Sequence, residues 1–261
     1  MKRIISADNA RYKALLKLAH SSRERRKAGL SLLDGIHLVC AYRDHAGMPE
    51  QIAVSAAALA RPDVQDLLKT VRPLEALLLT DALFGALSTV ESPTGVVAAV
   101  KTPRPLAIPR EIESCVMLED IQDPGNLGSI LRSAAAAGIQ QIFLSKGSVH
   151  AWSPRVLRAG MGAHFMLQIF EQVALSALVR DFNGRVIATA QRAKKTIFNI
   201  DLTGRVALVL GNEGAGLSQT LANAADEVVA VPMPGNIESL NVAAAAAICM
   251  FERVRQLQRG T

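Results

Sequence analysis

With 261 residues, half of them apolar and a fifth charged, the chain is long enough for one large or two ordinary domains around a proper core. Only 4% is aromatic while Ala and Leu are abundant, which argues for an α/β protein and against a β-sandwich or an aromatic stacking platform. The net charge of +6 is unevenly spread: residues 1–30 carry nine lysines and arginines against Asp8 and Glu24, so the other 231 residues sum to −1.

That asymmetry points to a polyanionic partner, most simply nucleic acid. Its densest stretch, SSRERRKAG, makes Arg23, Arg25, Arg26 and Lys27 the candidate contacts; the alternative is a solvated helix face followed by a charged turn. The N-terminus has no apolar core segment and so does not read as a signal peptide. Cys40, Cys115 and Cys249 have no metal-ligand spacing, which suits free thiols in a reducing compartment. The longest apolar run, VAAAAAICMF, is too short to span a bilayer, so a soluble cytoplasmic protein with no membrane contact is expected.

In chain order, the first hundred residues alternate helical patterns (NARYKALLKLAH, IHLVCAYRDH, PDVQDLLKTV, DALFGALSTV) with short apolar runs (SLLDG, QIAVS, LEALLLT, GVVAAV). KTPRPLAIPREIE then holds Pro103, Pro105 and Pro109 without periodicity and reads as a linker. The expected division is therefore residues 1–102, a linker over 103–112, and 113–261. Beyond the linker the strands are SCVMLED, IQQIFLS, GRVIATA, RVALVLG and EVVAVPM. The helices are NLGSILRSAAAAG, PRVLRAGMG, VALSALVRDF, SQTLANAADE and ESLNVAAAAAICMFERVRQLQ. This alternation predicts βαβ units and a parallel sheet buried on both faces.

Three loops at predicted strand ends are unusual, and ligands of open α/β sheets bind beyond such ends. In LGNEGAGLS, Gly211 and Gly216 have phosphate-loop spacing, but Leu217 stands where the lysine belongs, so an NTPase is disfavoured. The order of the glycines is the reverse of the dinucleotide fingerprint, which leaves a nicotinamide oxidoreductase last among the readings. The glycines imply either a tight turn or a ligand close to the backbone. In EDIQDPGNLGSILRS, Asn126 is expected to cap a helix starting at Leu127, with Arg132 reaching back over the turn as an anion ligand; an exposed arginine is the alternative. In VPMPGNIESLN, Pro234 stiffens the loop, Gly235 and Asn236 tolerate positive φ, and Ser239 or Asn241 can cap the last helix. The five histidines are scattered, no nucleophile–base pair stands out, and no metal is implied.

Taken together, the loops resemble the three motifs of the SpoU/TrmH family of RNA ribose 2′-O-methyltransferases in the SPOUT superfamily: Asn126-Leu-Gly-Ser-Ile-Leu-Arg132, Leu210-Gly-Asn-Glu-Gly-Ala-Gly-Leu-Ser218, and Val231 to Val242. The likeness covers residues 115–255. SRERRKAGLSLLDGIHLV is similar, more loosely, to a small ribosomal-protein-like α/β RNA-binding domain. The resemblance implies a C-terminal parallel-sheet domain with a deep trefoil knot, S-adenosylmethionine as cofactor, RNA as partner, and a homodimer built through the knotted domain. It implies Thr189, Ala190, Leu210, Gly211, Val231, Met233 and Leu240 as cofactor contacts, and Arg132, Asn126, Glu213, Ser239 and Asn241 as the catalytic set. Ribosomal RNA is favoured over transfer RNA; a non-catalytic RNA-binding module is the rival. One departure is Gly160, where the family commonly has a serine.

Overall fold

The structure, a computed structural model, describes residues 1–71, 75–88, 93–105, 107–235 and 237–259. Leu74, Thr89, Val90, Leu106 and Asn236, which fall in expected elements or loops, lie outside the described residues. In chain order the elements are β1 (Lys2–Ile4), α1 (Ala10–His20), α2 (Ser22–Ala28), β2 (Leu30–Asp34), α3 (Ile36–His45), β3 (Gln51–Ser55), α4 (Pro62–Thr70), β4 (Glu75–Leu79), α5 (Asp81–Leu87) and β5 (Val96–Lys101). β6 (Cys115–Leu118), α6 (Pro124–Ala136), β7 (Gln141–Leu144), α7 (Pro154–Gly160), β8 (Gln168–Phe170), α8 (Leu175–Asp181) and β9 (Arg185–Thr189) follow. The last are β10 (Lys195–Thr196), β11 (Val206–Leu210), α9 (Gln219–Ala224), β12 (Glu227–Ala230) and α10 (Val242–Arg259).

Contacts divide the chain into two compact units: Met1–Pro103 with Trp152–Phe165, and Arg104–Ala151 with Met166–Thr261. The first holds a five-stranded sheet in the order β1-β4-β3-β5-β2, in which β5 runs antiparallel to both its neighbours and the other pairings are parallel. Its core joins Ile4, Tyr12, Leu15, Leu32, Leu77 and Phe84, which places the amphipathic α1 and α5 on one face. Trp152–Phe165, expected within a continuous 113–261 domain, belongs to this unit instead. The reason is apolar: α7 packs on β2, and Phe165 stands edge-on to Tyr42 at 5.3 Å. The charge run becomes α2 because Ser21 Oγ accepts from the N–H of Glu24 at 3.2 Å and Gly29, at φ 65°, ends the helix.

The second unit carries seven strands, all parallel, in the order β10-β12-β9-β11-β6-β7-β8. Every residue of β6, β7 and β11 is buried, as the unbroken apolar runs require. Cys115, Met117, Phe143, Ala207 and Val209 face α8 and α9 through Leu175, Leu178 and Leu221. Alternation turns Val116, Leu118, Leu208 and Leu210 to the other face, where α10 packs against β11 and α6. The strand order turns at β11, which lies between β6 and β9. From there β7 and β8 extend one way and β9, β12 and β10 the other, so the loops at the C-terminal ends diverge and open a crevice. Among the described residues no helix is long and apolar enough to cross a membrane.

Candidate active site

Each wall of the crevice is fixed by local chemistry. After β6, Asp123 caps α6: its Oδ1 accepts from the N–H of Asn126 at 2.7 Å, and Pro124 starts the helix. The helix thus begins three residues before Leu127, and Asn126, expected as the cap, sits in the first turn. An aspartate ahead of proline makes the better cap here, and it leaves the Asn126 amide free for other partners.

After β11 the chain folds back on itself. Asn212 and Gly216 pair through two backbone hydrogen bonds of 3.0 Å, and Asn212 Oδ1 accepts from the N–H groups of Gly214 and Ala215 at 2.9 Å each. A Cβ at Gly211 would overlap the Leu217 nitrogen and the Gly216 carbonyl, so this glycine is required by a tight turn. Gly216, at φ 72°, supplies the left-handed residue. Gly235, expected to tolerate positive φ, does not use that freedom.

Asn241 is the residue that caps α10: its Oδ1 accepts from Ala243 N–H at 2.9 Å and from Ala244 N–H at 3.2 Å. That role turns its NH2 outward, where it donates to Asn126 Oδ1 at 2.7 Å. Asn126 Nδ2 must then be the donor on its other side, and it meets Glu213 Oε1 at 3.1 Å. Glu213 also accepts from the N–H groups of Asp123 at 3.3 Å and Gln122 at 3.4 Å. One directed chain of hydrogen bonds therefore joins three loops far apart in sequence. Partial burial disfavours the ionised Glu213, but donation from Asn126 and from the backbone N–H groups of Glu213 itself, Asp123 and Gln122 outweighs it. The carboxyl is held below the usual glutamate range.

Beside this chain lies a cavity of about 380 Å³ at the ends of β9, β11 and β12. All seven expected cofactor contacts line it: Thr189, Ala190, Leu210, Gly211, Val231, Met233 and Leu240. Glu213 and Ser239 line it as well, whereas Asn126, Asn241 and Arg132 do not. Arg132 is exposed on α6, with no hydrogen bond or ion pair among the described residues. Gln191, Gln219, Ala222, Val242 and Ala245 are further lining residues that sequence reasoning missed. Gln191 lies two residues past β9 and was within reach of the strand-end rule, but the α9 residues carry no sequence signal.

Residues 113–251 match the SpoU rRNA Methylase family. The chain belongs to that family. It is 32% identical over 255 residues to the 23S rRNA (guanosine(2553)-2'-O)-methyltransferase RlmP of Bacillus subtilis (strain 168), across 96% of this chain and 98% of that protein. A solved RNA 2′-O ribose methyltransferase matches with a TM-score of 0.86 at 29% identity, covering 97% of this chain and 98% of its own. The SpoU methyltransferase AviRb from Streptomyces viridochromogenes, solved in complex with the cofactor AdoMet, matches with a TM-score of 0.83 at 27% identity over 97% of this chain and all of its own. The SpoU match spans the whole hydrogen-bonded chain from Asn126 to Asn241. Gly160, where the resemblance implies a serine, is buried at the end of α7.

In the first unit, Arg23, Arg26 and Lys27 are exposed on α2. Arg25 is not a surface contact. It is only 6% exposed, and its Nη1 donates to the carbonyls of Leu18 at 2.6 Å and Ala19 at 3.2 Å, two groups left without helical partners at the end of α1. Burial, and secondarily the neighbouring charge of Arg26, pushes its pKa down.

Proposed function

We propose that the protein binds S-adenosylmethionine in this cavity and transfers its methyl group to a ribose 2′-hydroxyl of ribosomal RNA. As a SpoU family member it is an RNA 2′-O-methyltransferase; ribosomal RNA is favoured because relatives such as RlmP are named for 23S rRNA. The observation that carries the reading is the convergence on one cavity of the seven cofactor contacts that the family resemblance implies, with Glu213 of the hydrogen-bonded chain in its wall.

The residues present suit the cofactor. At about 380 Å³ the cavity is of the size that takes small organic ligands. Leu210, Val231, Leu240, Val242 and Ala245 offer apolar surface to a purine, and Thr189, Gln191 and Gln219 offer polar groups at its edge. When bound, S-adenosylmethionine supplies a methyl group already activated by its sulfonium. The chain's own work is then positioning, where an error of an ångström is costly. Gly211 lets the backbone close on the cavity. Asn126, Glu213 and Asn241 lock the three loops, and Ser239, in the cavity wall, would help orient the groups bound there. Arg132 binds the phosphate beside the target ribose, since a guanidinium stays protonated in proteins and serves as an anion clamp rather than a base.

The same reading includes a homodimer, a knotted second unit and an RNA-binding first unit. An unpaired Arg132 outside its own cavity supports a site completed by a second copy. So does an apolar stripe along α10, Ala244, Ala247, Ile248 and Phe251, with Phe251 46% exposed. The insertion of β11 between β6 and β9, followed by the return of α10 onto α6, supports the trefoil path. Arg23, Arg26 and Lys27 are the phosphate contacts of the first unit.

The test is transfer of labelled methyl from S-adenosylmethionine to unmodified ribosomal and transfer RNA pools, with Arg132→Ala alongside. Label in ribose-methylated nucleosides of ribosomal RNA, lost in the variant, is the expected result. Label in transfer RNA alone would overturn the substrate class, and cofactor binding without transfer to either RNA or ribosomal particles would favour the non-catalytic module.

A further inference from the structure

Two consecutive residues outside the cavity hold both ends of its glycine-rich wall. Glu119 and Asp120 follow β6 directly and are half-buried. At the start of the wall, Asn212 Nδ2 donates to the Asp120 carbonyl at 2.8 Å. At its end, the Ser218 N–H donates to Glu119 Oε2 at 2.7 Å. Between these anchors the loop is closed by the Asn212–Gly216 pair, and its middle carries Glu213.

Asp120 is itself held in an uncommon conformation. Its φ is 54°, a left-handed value uncommon outside glycine, which an aspartate adopts more readily than most residues when its side chain is held by local hydrogen bonds. The neighbours that hold it are Ser145, whose Oγ accepts from the Asp120 N–H at 2.8 Å and donates to Asp120 Oδ1 at 2.5 Å, and Gly147, where a Cβ would overlap the carboxylate. The β6 and β7 loops thus aim the Asp120 carbonyl at Asn212.

We propose that Glu119 and Asp120 are positioning residues for cofactor binding, setting the 212–218 wall through Asn212 and Ser218 without touching the ligand. This rests on the reading of the cavity as the S-adenosylmethionine site. Neither residue lines the cavity, so a direct contact does not explain an effect on affinity.

The test compares wild type, Glu119→Ala, Glu119→Gln and Asp120→Gly by calorimetric titration with S-adenosylmethionine and by amide hydrogen exchange of the ligand-free full chain. Glu119→Ala is expected to weaken cofactor affinity about tenfold, equivalent to about 1.4 kcal/mol, with RNA affinity unchanged. Glu119→Gln keeps an acceptor for the Ser218 N–H and restores most of the loss. Asp120→Gly permits the left-handed backbone but removes the carboxylate that Ser145 holds, and is expected to weaken binding about threefold to tenfold; binding equal to wild type would remove Asp120 from the proposal. In Glu119→Ala the amides of Gly214, Ala215 and Ser218 exchange faster while those of β6 and β11 do not. Affinity within twofold of wild type in Glu119→Ala, no rescue by glutamine, or uniformly faster exchange would overturn the proposal. Wild type that fails to bind the cofactor, with the local exchange pattern intact, would instead overturn the reading of the cavity.

Discussion

Replacing Asn126 by aspartate exchanges one NH2 group for an oxygen at nearly constant size, and removes the donor of the hydrogen bond to Glu213. In the native chain Asn126 Nδ2 lies 3.1 Å from Glu213 Oε1. In the variant two carboxylates face each other over that distance. The repulsion is about 1.3 kcal/mol in water and about 5 kcal/mol at an effective dielectric of about 20. Because Glu213 is exposed, the lower end applies, and Asn126→Asp is expected to cost about 1–2 kcal/mol at pH 7.5. The sign with pH follows from the pair. One of the two carboxyls has its folded pKa raised above the ordinary value of about 4, so its stabilising protonation is complete below that value and lost as pH rises through the folded one. A carboxyl O–H then stands in for the lost N–H, and the deficit against wild type narrows in acid. Urea unfolding of both proteins at pH 7.5 and pH 4.5 measures this, with methyl transfer at neutral pH as a second readout. Equal deficits at the two pH values, or none at pH 7.5, would refute the directed hydrogen-bond chain.

Gly211→Ala is expected to cost about 1–3 kcal/mol by overpacking and to abolish S-adenosylmethionine binding, since the new Cβ meets backbone rather than a movable side chain; thermal unfolding and cofactor titration check both. Arg25→Ala is expected to lose about 1.5–3 kcal/mol of stability with its bonds to the end of α1, while leaving the salt dependence of RNA binding unchanged. Arg26→Ala should do the reverse, with stability within about 0.5 kcal/mol and the slope of log affinity against log salt reduced by about 0.7.

Much of the second unit was legible in the sequence because a parallel strand buried on both faces must be an unbroken apolar run. VALVL, CVML and the VIA centre of RVIAT are such runs, and each lies in a strand. β1, β8 and β10 were not legible. Two or three residues display no period, and those segments become strands by pairing with β4, β7 and β12. A helix face was the alternative reading of the SRERRKA charge run, and only the fold revealed that Arg25 turns inward to cap α1 while Arg23, Arg26 and Lys27 remain exposed.

The sequence by itself determined which loops matter, because a cluster of Gly, Pro and Asn after an apolar strand specifies backbone that must bend closely. The resemblance of those loops to the SpoU/TrmH motifs also marked the seven residues that gather around the cavity. Tertiary structure alone decided how the loops are joined. Asn126 meets Glu213 across 87 residues and Asn241 across 115. The parallel order that brings those strand ends together is set by which buried faces pack, whereas a residue's pattern reveals only that it has a buried face. Tertiary structure also assigned Trp152–Phe165 to the first unit, because an aromatic side chain joins whichever core lies within reach.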